Sequence, residues 1–497
     1  MTFEEFENQA STATMIPLRR ELFADLLTPV SAYMMLRSPE SPSFLLETVE
    51  QHEAIGRYSF VGLDPLMLVT ARGRRLTIVE GGRHEEREGD LFALLRDLTG
   101  EFRLPAGSRD EGFIGGFVGY IGYDAVQYLE HVPLPPRLHD DEPDAVLGLF
   151  ATVVRFDHRF HRATLLHHVV LTPGLPLRRQ YEDGIKKLDT VQLRLRSLPV
   201  AGQFTWSPPE NDPGERESFL RNVSEAKRHI TEGDIFQVVL SRRVTAPYSG
   251  DPFVVYRALR MLNPSPYLFY LEFGETRLIG SSPEVLVRVR EGVVDALPIA
   301  GTRPRGETVE ADRAFELSLL GDEKERAEHL MLVDLGRNDV GRVSAYGSVQ
   351  VPVFGRVERY SHVMHMVSQV RAQLREGLTS IDALCACFPA GTVSGAPKVR
   401  AMEIITELES TRRGVYAGAV GYLGLDGSLD TCIAIRTIVA HRDRLRMQAG
   451  AGIVADSDPE REYQETVSKM QVLLDAARLA ADGLAPPARN PNNPLIH

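Results

Sequence analysis

A polar, proline-rich segment interrupts the chain at residues 207–214, where the sequence reads Ser-Pro-Pro-Glu-Asn-Asp-Pro-Gly. Closely spaced prolines without an apolar period disfavour both a helix and a central strand. We therefore interpret this segment as a linker. It divides the chain into an N-terminal lobe of residues 1–206 and a second domain of residues 215–483, and another proline-rich stretch predicts a flexible tail at 484–497.

The apolar patterns differ on the two sides of this linker. Before it, short apolar runs alternate with turn residues and predict a sheet-rich lobe, with strands at 75–79, 146–154 and 163–171. After it, apolar residues recur every three or four positions and predict a helix that ends at Gly233; they are Phe219, Val223, Ala226 and Ile230. The second part is mixed α and β, with further strands predicted at 235–240, 267–273, 285–289 and 432–439 and helices at 312–335 and 458–482.

Composition excludes several classes of protein. The 497 residues carry a formal net charge of -12, which disfavours general nucleic-acid binding, because such proteins need basic patches. No run of 18 apolar residues is present, so we expect no membrane span. The three cysteines, Cys385, Cys387 and Cys432, are too few for a disulfide framework and are expected as buried thiols in a reducing compartment. The acidic N-terminus lacks the layout of a signal peptide, so we expect a cytoplasmic protein.

Two pairs of glutamates have helical spacing. Residues three or four apart share one helix face, and the residues so spaced are Glu325 and Glu328 on one predicted helix and Glu462, Glu465 and Lys469 on another. Asp458 followed by Pro459 suits the start of the second helix, since aspartate caps helices and proline is accepted at their first position. Four carboxylates on facing helices could hold Mg²⁺, which prefers oxygen ligands. The alternative is two solvated helix surfaces.

Glycine-rich segments supply a second group of candidates. Residues 448–452 read Gln-Ala-Gly-Ala-Gly before the last predicted helix. Such a turn could present backbone N–H groups to an anion, or it could be an ordinary turn. Residues 389–398 read Pro-Ala-Gly-Thr-Val-Ser-Gly-Ala-Pro-Lys, which has the composition of a phosphate-binding loop but not the residue order of a nucleoside triphosphatase.

Two single residues have two interpretations each. Arg436 lies in an apolar run, and a buried arginine needs either a structural carboxylate or the carboxylate of a substrate. His365 lies among apolar and aromatic residues, where it is either a core histidine with satisfied hydrogen bonds or a catalytic base.

Seven segments, in order along the chain, resemble the motifs of the chorismate-utilising enzyme family. They are Phe-Gln-Val-Val-Leu-Ser-Arg at 236–242, Gly-Ser-Ser-Pro-Glu at 280–284, Leu-Pro-Ile-Ala-Gly-Thr-Arg at 297–303, Glu-His-Leu-Met-Leu-Val-Asp-Leu-Gly-Arg-Asn-Asp at 328–339, the segment 389–398, Asp-Thr-Cys-Ile-Ala-Ile-Arg at 430–436 and Pro-Glu-Arg-Glu-Tyr-Gln-Glu-Thr at 459–466. Matches at 43–49 and 56–62 extend the resemblance to nearly the whole chain. The resemblance implies an α+β fold, a large sandwich of two β-sheets with outer helices and the active site between the sheets.

Two positions distinguish the reactions of this family. Members that add water carry lysine where this chain has Gln237, and a buried lysine can lose its proton and activate water, whereas glutamine cannot. Members that make 4-amino-4-deoxychorismate carry lysine, a potential nucleophile, where this chain has Ala300. The resemblance is therefore closest to the anthranilate-forming large subunits. It implies a lyase that converts chorismate and ammonia to anthranilate and pyruvate, the first committed step of tryptophan biosynthesis.

The resemblance also implies roles for the candidate residues. Mg²⁺ would be held by Glu328 and Glu465, with Glu325 and Glu462 in support. The residues implied to bind chorismate are Gly301, Thr302, Tyr416, Arg436, Gly450, Ala451, Gly452 and Lys469. Those implied to be catalytic are Glu284, as proton donor to the departing hydroxyl, and His365 and Thr392, near the step that eliminates pyruvate.

A partner and a regulator are implied as well. The cysteines do not lie in the Gly-x-Cys-x-Gly setting of a glutamine amidotransferase, so a separate small subunit is expected to supply ammonia, in a heterotetramer of two large and two small subunits. The N-terminal lobe would bind this partner and carry tryptophan feedback inhibition. The residues implied to bind tryptophan are Thr48, Pro266, Tyr267 and Leu268. Thr48 replaces the usual serine of this element and Leu268 the usual methionine.

Three other functions remain open at this stage. The chain could be the corresponding component of an aminodeoxychorismate synthase or of an aminodeoxyisochorismate synthase that stops before pyruvate is lost. It could also be a non-catalytic regulatory homologue. Loss of the metal-binding carboxylates would mark such a homologue, and all four glutamates are present.

Overall fold

The computed structural model describes residues 1–48, 57–107, 112–138, 142–210, 212–306, 308–359 and 363–485. Its strands are β1 (Met15–Phe23), β2 (Ser43–Glu47), β3 (Tyr58–Leu63), β4 (Met67–Arg72), β5 (Arg75–Glu80), β6 (Arg83–Glu88), β7 (Gly116–Ile121), β8 (Ala145–Phe150), β9 (Thr152–Asp157), β10 (Arg162–Val170), β11 (Phe204–Trp206), β12 (Gln237–Gly250), β13 (Tyr267–Phe273), β14 (Thr276–Ser282), β15 (Val285–Arg290), β16 (Val293–Ala296), β17 (Ile299–Pro304), β18 (Gln350–Arg359), β19 (Val363–Gln373), β20 (Gly395–Ala396), β21 (Ala419–Gly424), β22 (Leu429–Ile433), β23 (Thr437–His441) and β24 (Arg444–Ile453).

The helices are α1 (Phe3–Gln9), α2 (Pro29–Leu36), α3 (Leu91–Gly100), α4 (Leu177–Arg194), α5 (Pro213–Glu232), α6 (Phe253–Leu262), α7 (Val309–Gly321), α8 (Glu323–Gly341), α9 (Ser380–Cys387), α10 (Lys398–Leu408) and α11 (Pro459–Ala481). Short 3₁₀ turns lie at Tyr123–Tyr128 and Gly391–Val393. No helix in the described ranges is both long and apolar enough to cross a membrane.

The strands form two large antiparallel sheets. Sheet I has the order β1-β10-β9-β3-β2-β13-β14-β23-β24-β12-β11, with β20 paired to β12. Sheet II has the order β17-β19-β16-β15-β22-β21-β7-β8-β4-β5-β6, with β18 paired to β19. The α+β class with two sheets and helices is confirmed. Both sheets contain strands from before and after residues 207–214, so the two predicted lobes share their sheets; the lobe division itself stays a prediction.

Three apolar layers hold the sheets and helices together. Between the sheets, Phe44 and Phe269 of sheet I pack in one cluster with Tyr120 and Tyr422 of sheet II. A second cluster joins sheet I to α2, α4, α6 and α11, and a third joins sheet II to α3, α8, α9 and α10. Strands such as β8 are buried at every position because apolar groups cover both of their faces.

Helix ends agree with the sequence patterns, with one exception. Gly233 ends α5 in a left-handed conformation at φ 84°, and the Asp458 side chain caps α11 by accepting from the Arg461 N–H. The predicted helix at 312–335 is instead two helices, α7 and α8. Asp322 separates them, because its extended backbone interrupts α7 while its carboxylate caps the first N–H groups of α8.

Two predicted strands are each broken where the chain passes from one sheet to the other. Residues 146–154 divide at Ala151 into β8 of sheet II and β9 of sheet I. Residues 432–439 divide into β22 of sheet II and β23 of sheet I, and Arg436 lies in the break with φ 48°. Apolar periodicity does not reveal such a crossing, because the side chains are buried on both sides of it.

The predicted linker and tail are only partly described. Residue 211 lies outside the described residues, and α5 begins at Pro213, inside the predicted linker. Residues 486–497 of the predicted tail also lie outside them. The three cysteines form no disulfide; Cys387 and Cys432 are buried, and Cys385 is half-buried.

Candidate functional site

The glycine-rich segment 448–452 belongs to a strand, so the predicted turn is wrong. Gly450, Ala451 and Gly452 lie within β24, opposite Ser241, Leu240 and Val239 of β12, respectively. β23 pairs with β24 only as far as Met447, so β12 is the remaining ladder partner of this part of β24 in the described structure. Among the described strands, none pairs with the other edge of β24 at Gly450 to Gly452.

The two glycines of β24 make room for two polar side chains. A Cβ atom on Gly450 would lie 2.6 Å from the Tyr416 hydroxyl oxygen, and one on Gly452 would lie 2.7 Å from Nε2 of Gln237. Any side chain at these positions would displace Tyr416 or Gln237. The requirement here is close approach of side chains to the strand, and the backbone conformation is ordinary.

Lys469 connects α11 to this strand. Its Nζ donates to the Gly450 carbonyl oxygen at 2.9 Å and forms an ion pair with Glu465 at 2.7 Å. The spacing of four residues places Glu465 and Lys469 on one face of α11, as the sequence predicted. A positive charge therefore lies beside the glycine strand and next to one predicted metal ligand.

Arg436 is a largely buried arginine with a neutral partner. Its Nη1–H donates to Oδ1 of Asn263 at 3.3 Å, and among the described residues no carboxylate lies within ion-pair distance of it. Burial lowers its pKa. Within the described residues the structural salt bridge considered from the sequence is not formed, so this guanidinium is able to accept a carboxylate partner from outside the chain.

Glu284 and Arg436 lie on neighbouring sheet-to-sheet crossings. Glu284 lies between β14 and β15, and Arg436 lies between β22 and β23. The Ser281 N–H donates to the Arg436 carbonyl at 3.2 Å, and the Ile433 N–H donates to the Glu284 carbonyl at 3.0 Å. These hydrogen bonds hold the two crossings side by side.

Burial raises the pKa of Glu284 to about 7, although the Thr392 side chain and the charge of Lys469 both act to lower it. Thr392 lies close to Glu284, which brings together two of the three predicted catalytic residues, and its buried hydroxyl has no hydrogen-bond partner within the described residues. A small cavity of about 50 Å³ is lined by both residues and by Leu335, Asp339 and Cys387. A carboxyl group with a pKa near neutrality can donate a proton at physiological pH.

Gly301, Thr302 and His365 meet where β17 pairs with β19. Nδ1 of His365 lies 2.9 Å from the Gly301 carbonyl and 3.1 Å from the Thr302 hydroxyl. Since a carbonyl only accepts, Nδ1 carries the proton, which leaves the lone pair on Nε2. Burial and the nearby charge of Arg436 lower the pKa of His365, so the ring is neutral near pH 7.

The four predicted metal-binding glutamates have different surroundings: three carboxylates lie close together, and the fourth pairs with an arginine. Burial raises the pKa of Glu328, and Glu325 and Glu465 raise it further, which shows that α8 and α11 bring these carboxylates into one electrostatic neighbourhood. Burial and Glu465 likewise raise the pKa of Glu462. Glu325 is instead paired with Arg303 at 3.0 Å, and its carboxylate faces the Cα of Gly301.

This donor set suits a divalent cation that also takes ligands from water or substrate. The carboxylates of Glu328, Glu462 and Glu465 are oxygen donors, and a cation would favour the charged forms of Glu328 and Glu462, whose pKa values are raised. These three carboxylates do not surround a single point closely enough to form a complete set of metal ligands. In the described part of the chain, three metal-ligating atoms lie within 4.8 Å of one another only at His229, Glu232 and Asp234. There, Arg228 and Arg400 already pair with the two carboxylates.

A separate large cavity lies between the sheets, beside β2 and β13. It has a volume of about 1180 Å³ and is lined by Thr48, Tyr267 and Leu268, three of the four residues predicted to bind tryptophan. Pro266 is buried and does not line it. The Tyr267 hydroxyl donates to Asp430 at 2.6 Å and accepts from Arg288 at 2.8 Å.

Sequence reasoning missed several residues that organise the site. Asn263 contacts Arg436, and Arg303 holds Glu325. Glu409 and Arg413 form a buried ion pair behind Tyr416. Their spacing of four residues was a visible signal, but the same spacing is common on solvated helix surfaces.

Comparisons with known proteins give one consistent family. The chorismate binding enzyme family matches residues 42–475. The chain is 43% identical over 494 residues to anthranilate synthase component 1 of Acetivibrio thermocellus, covering 97% of this chain and 99% of that protein. It is 45% identical over 495 residues to the same component of Pseudomonas putida, with the same two coverages.

Solved structures agree with the sequence comparisons. Anthranilate synthase component I of Streptococcus pneumoniae TIGR4 superposes with a TM-score of 0.74 at 38% identity, covering 92% of this chain and 99% of that one. The menaquinone-specific isochorismate synthase of Escherichia coli superposes with a TM-score of 0.70 over 96% of this chain and 98% of that one. At 21% identity the second likeness shows a shared fold alone.

Proposed function

The chain belongs to the chorismate binding enzyme family, and from this premise we propose that it converts chorismate and ammonia to anthranilate and pyruvate, the reaction of an anthranilate synthase large subunit. The observation that carries the proposal is Arg436, a buried cation whose partner in the described structure is the neutral side chain of Asn263. Chorismate is a cyclohexadiene with a ring carboxylate, a hydroxyl and an enolpyruvyl ether that carries a second carboxylate. One end of such a dicarboxylate supplies the anion that Arg436 lacks.

Each end of chorismate then has its own set of groups. The Arg436 guanidinium and the Tyr416 hydroxyl bind the enolpyruvyl carboxylate. The ring carboxylate lies towards α8 and α11, near Lys469, with the backbone of Gly450 and Gly452 beneath the ring. The glycines are needed because a side chain at either position would occupy the space of Tyr416 or Gln237.

Mg²⁺ would be held by Glu328 and Glu465, supported by Glu462 and, beyond its pair with Arg303, by Glu325. A divalent cation there would neutralise the ring carboxylate and polarise it as a Lewis acid. The raised pKa values of Glu328 and Glu462 support this assignment.

In the first step, ammonia forms a C–N bond to the ring while the ring hydroxyl leaves. Glu284, with its pKa of about 7, donates the proton with which the hydroxyl departs as water, and Thr392 lies beside this carboxyl group. Gln237 suits this step because its neutral amide lies at the glycine strand and cannot deprotonate water, whereas ammonia is already a nucleophile.

In the second step, the ring loses a proton and the enolpyruvyl group leaves as pyruvate, which makes the ring aromatic. His365 is neutral and carries its lone pair on Nε2, so it can accept a proton in this region of the site. Ala300 supports the anthranilate reaction, because its methyl group cannot form the covalent adduct that a lysine could form.

Ammonia is supplied by a separate glutamine amidotransferase subunit, in a heterotetramer of two large and two small chains. The cysteines support a separate source. Burial raises the thiol pKa values of Cys385 and Cys387 to about 12 and raises that of Cys432 still further, so none is an activated nucleophile. Reduced thiols also suit a cytoplasmic enzyme. The purified chain should form anthranilate with ammonium and not with glutamine, and product from glutamine by this chain alone would contradict the proposal.

Tryptophan inhibits the enzyme by binding the cavity between the sheets at Thr48, Tyr267 and Leu268, with Pro266 behind them. The volume of about 1180 Å³ and the neighbouring Asp430 and Arg288 support this placement. Feedback requires that tryptophan binds an inactive conformation preferentially. Chorismate saturation curves at increasing tryptophan should shift, and identical curves would remove this assignment.

The deciding assay is fluorescence detection of anthranilate formed from chorismate, ammonium and Mg²⁺, with pyruvate measured in parallel. Both products should appear in equal amounts. An aminodeoxychorismate synthase would give no free anthranilate, and an enzyme that stops at aminodeoxyisochorismate would give neither product. Arg436→Met is the matched control, since it removes the cation that is proposed to bind the substrate carboxylate and leaves the proposed metal-binding glutamates intact.

A further inference from the structure

A buried ion pair, Glu409 and Arg413, lies directly behind the proposed substrate site. The two side chains are joined by hydrogen bonds of 2.8 Å from Nε to Oε2 and 2.7 Å from Nη2 to Oε1. The Arg413 side chain is 1% exposed and that of Glu409 is 8% exposed. A pair so deeply buried is costly to maintain for stability alone, because an apolar replacement is often as stable.

The hydrogen bonds of Arg413 reach two elements of the site. Its Nη2–H donates to the carbonyl of Val239 at 2.6 Å, and its Nη1–H donates to the carbonyl of Val393 at 2.7 Å. Val239 lies opposite Gly452 in the strand register, and Val393 follows Thr392. One guanidinium therefore joins β12, at the residue that faces Gly452, to the loop that carries Thr392.

The planar face of Arg413 contacts a third element. Its guanidinium carbon lies 5.6 Å from the ring centroid of Tyr416 and 4.8 Å from that of Tyr123. Cation–π contacts of this kind fix where a ring lies. Tyr416 is thereby held with its hydroxyl above Gly450.

Glu409 extends the same connection along β12. Its Oε1 accepts from both the N–H and the hydroxyl of Ser241, at 2.8 and 2.9 Å, and Ser241 lies opposite Gly450. Gln448 of β24 donates to the same hydroxyl at 2.8 Å. The carboxylate thus fixes β12 at the residue facing one substrate glycine, and the arginine fixes it at the residue facing the other.

We propose that Glu409 and Arg413 are positioning residues, which set the relative placement of Tyr416, the Gly450 to Gly452 strand and Thr392 without touching chorismate. The inference rests on the proposed function, because it concerns the geometry of that site. The pair acts on the carboxylate-binding and proton-donating groups together. A planar, bidentate arginine is required, since lysine offers one charged point in place of a fork.

Glu409→Gln and Arg413→Lys test this inference. A misplacement of about 1 Å in an active site costs roughly 10²-fold in rate, so each variant should lower kcat/KM for chorismate by about that factor, with a higher KM for chorismate. The KM for ammonium should change by less than about twofold, since no contact of the pair involves an ammonia-binding group. Ser241→Ala, which removes the hydroxyl's hydrogen bonds to Glu409 and from Gln448 and leaves the pair intact, should give a smaller change in the same direction.

The matched control is Arg37→Lys. Arg37 also forms a bidentate pair, with Asp251, and also lies over two aromatic rings, those of Tyr33 and Phe253, but it connects α2 to α6 and contacts no proposed site residue. It should lower the melting temperature without changing the KM for chorismate. If Glu409→Gln and Ser241→Ala retain wild-type KM and kcat while Tm falls as in this control, the pair is purely structural and the inference is overturned.

The possible results distinguish a failure of the proposed function from a failure of the positioning role alone. Wild-type enzyme that forms no anthranilate overturns the proposed function and, with it, this inference. Active wild type with variants that behave like Arg37→Lys overturns the inference alone. If Arg413→Lys does not fold, Glu409→Gln and Ser241→Ala still decide between positioning and structure, because Ser241→Ala changes a single partly exposed hydroxyl.

Discussion

Replacing Arg436 with methionine should impair catalysis without destabilising the unliganded enzyme. In the described structure this side chain has a single neutral hydrogen-bond partner at 3.3 Å, and burial lowers its pKa. Two charge-assisted hydrogen bonds to the substrate carboxylate would be worth about 1.5–3 kcal/mol each. At about 1.4 kcal/mol per factor of ten, their loss should lower kcat/KM for chorismate by about 10²–10⁴-fold.

The same variant should lose activity but should not lose stability. Arg436 carries a charge into the protein without an ion-pair partner, so methionine of similar volume should leave the free energy of unfolding unchanged or raise it by about 1 kcal/mol. Arg288→Met is the control, because Arg288 is also largely inaccessible but pairs with Asp430 at 2.9 Å. Removing it leaves the buried Asp430 carboxylate with only a longer ion pair, to Arg290 at 3.4 Å, and should cost up to about 3–5 kcal/mol.

Urea denaturation of the two variants, with anthranilate fluorescence to give kcat and KM, measures both effects. A loss of stability in Arg436→Met as large as that in Arg288→Met would mean that Arg436 has a structural partner. An unchanged KM for chorismate would mean that it binds no substrate carboxylate. Either result refutes the reasoning that an unpaired buried arginine marks the binding site.

Three further predictions concern other parts of the site. Because the proposed proton donor Glu284 has a pKa of about 7, kcat at a fixed concentration of unprotonated ammonia should fall as pH rises above 7. Glu284→Gln should be slower by about 10²-fold or more and lose this limb of the pH profile, and a retained limb would contradict the assignment. Glu328→Gln and Glu465→Gln should lose the activation by Mg²⁺ seen in a metal titration, whereas Glu232→Gln, in the exposed carboxylate group at the end of α5, should retain it. Gly450→Ala would place a Cβ 2.6 Å from the Tyr416 hydroxyl and should raise the KM for chorismate by about tenfold, while Gly341→Ala, where a Cβ meets no atom within 4 Å, should leave it unchanged.

The elements that could be predicted from the sequence are those whose pattern is local. The helix ending at Gly233 and the one capped by Asp458 were predicted because caps and helical periodicity involve residues a few positions apart. The strand at 267–273 matches β13 for the same reason. The helical spacing of Glu465 and Lys469 also predicted their shared face correctly.

What could not be predicted depends on contacts between distant segments. The segment 448–452 was predicted as a turn because glycines are typical of turns, but here they admit Tyr416 and Gln237, which are remote in sequence. Arg436 remained open between two interpretations because the presence of a carboxylate partner is a property of the folded chain. The family resemblance supplied these assignments, while local patterns alone indicated only an anionic-ligand site that could hold a metal.

The sheet-to-sheet crossings explain why the proposed acid and the proposed carboxylate ligand lie together. A residue within a strand directs its side chain to one face of one sheet, whereas a residue between β14 and β15, or between β22 and β23, lies where the chain passes from one sheet to the other. Glu284 and Arg436 occupy these two positions, and the hydroxyl of Ser282 donates to the Ile433 carbonyl at 2.7 Å to join the crossings further. One hydrogen-bonded unit therefore positions both the proposed proton donor, Glu284, and the proposed carboxylate-binding residue, Arg436. A change that loosens it, such as Ser282→Ala, should weaken proton donation and chorismate binding together, in contrast to Glu284→Gln, which should affect kcat far more than KM.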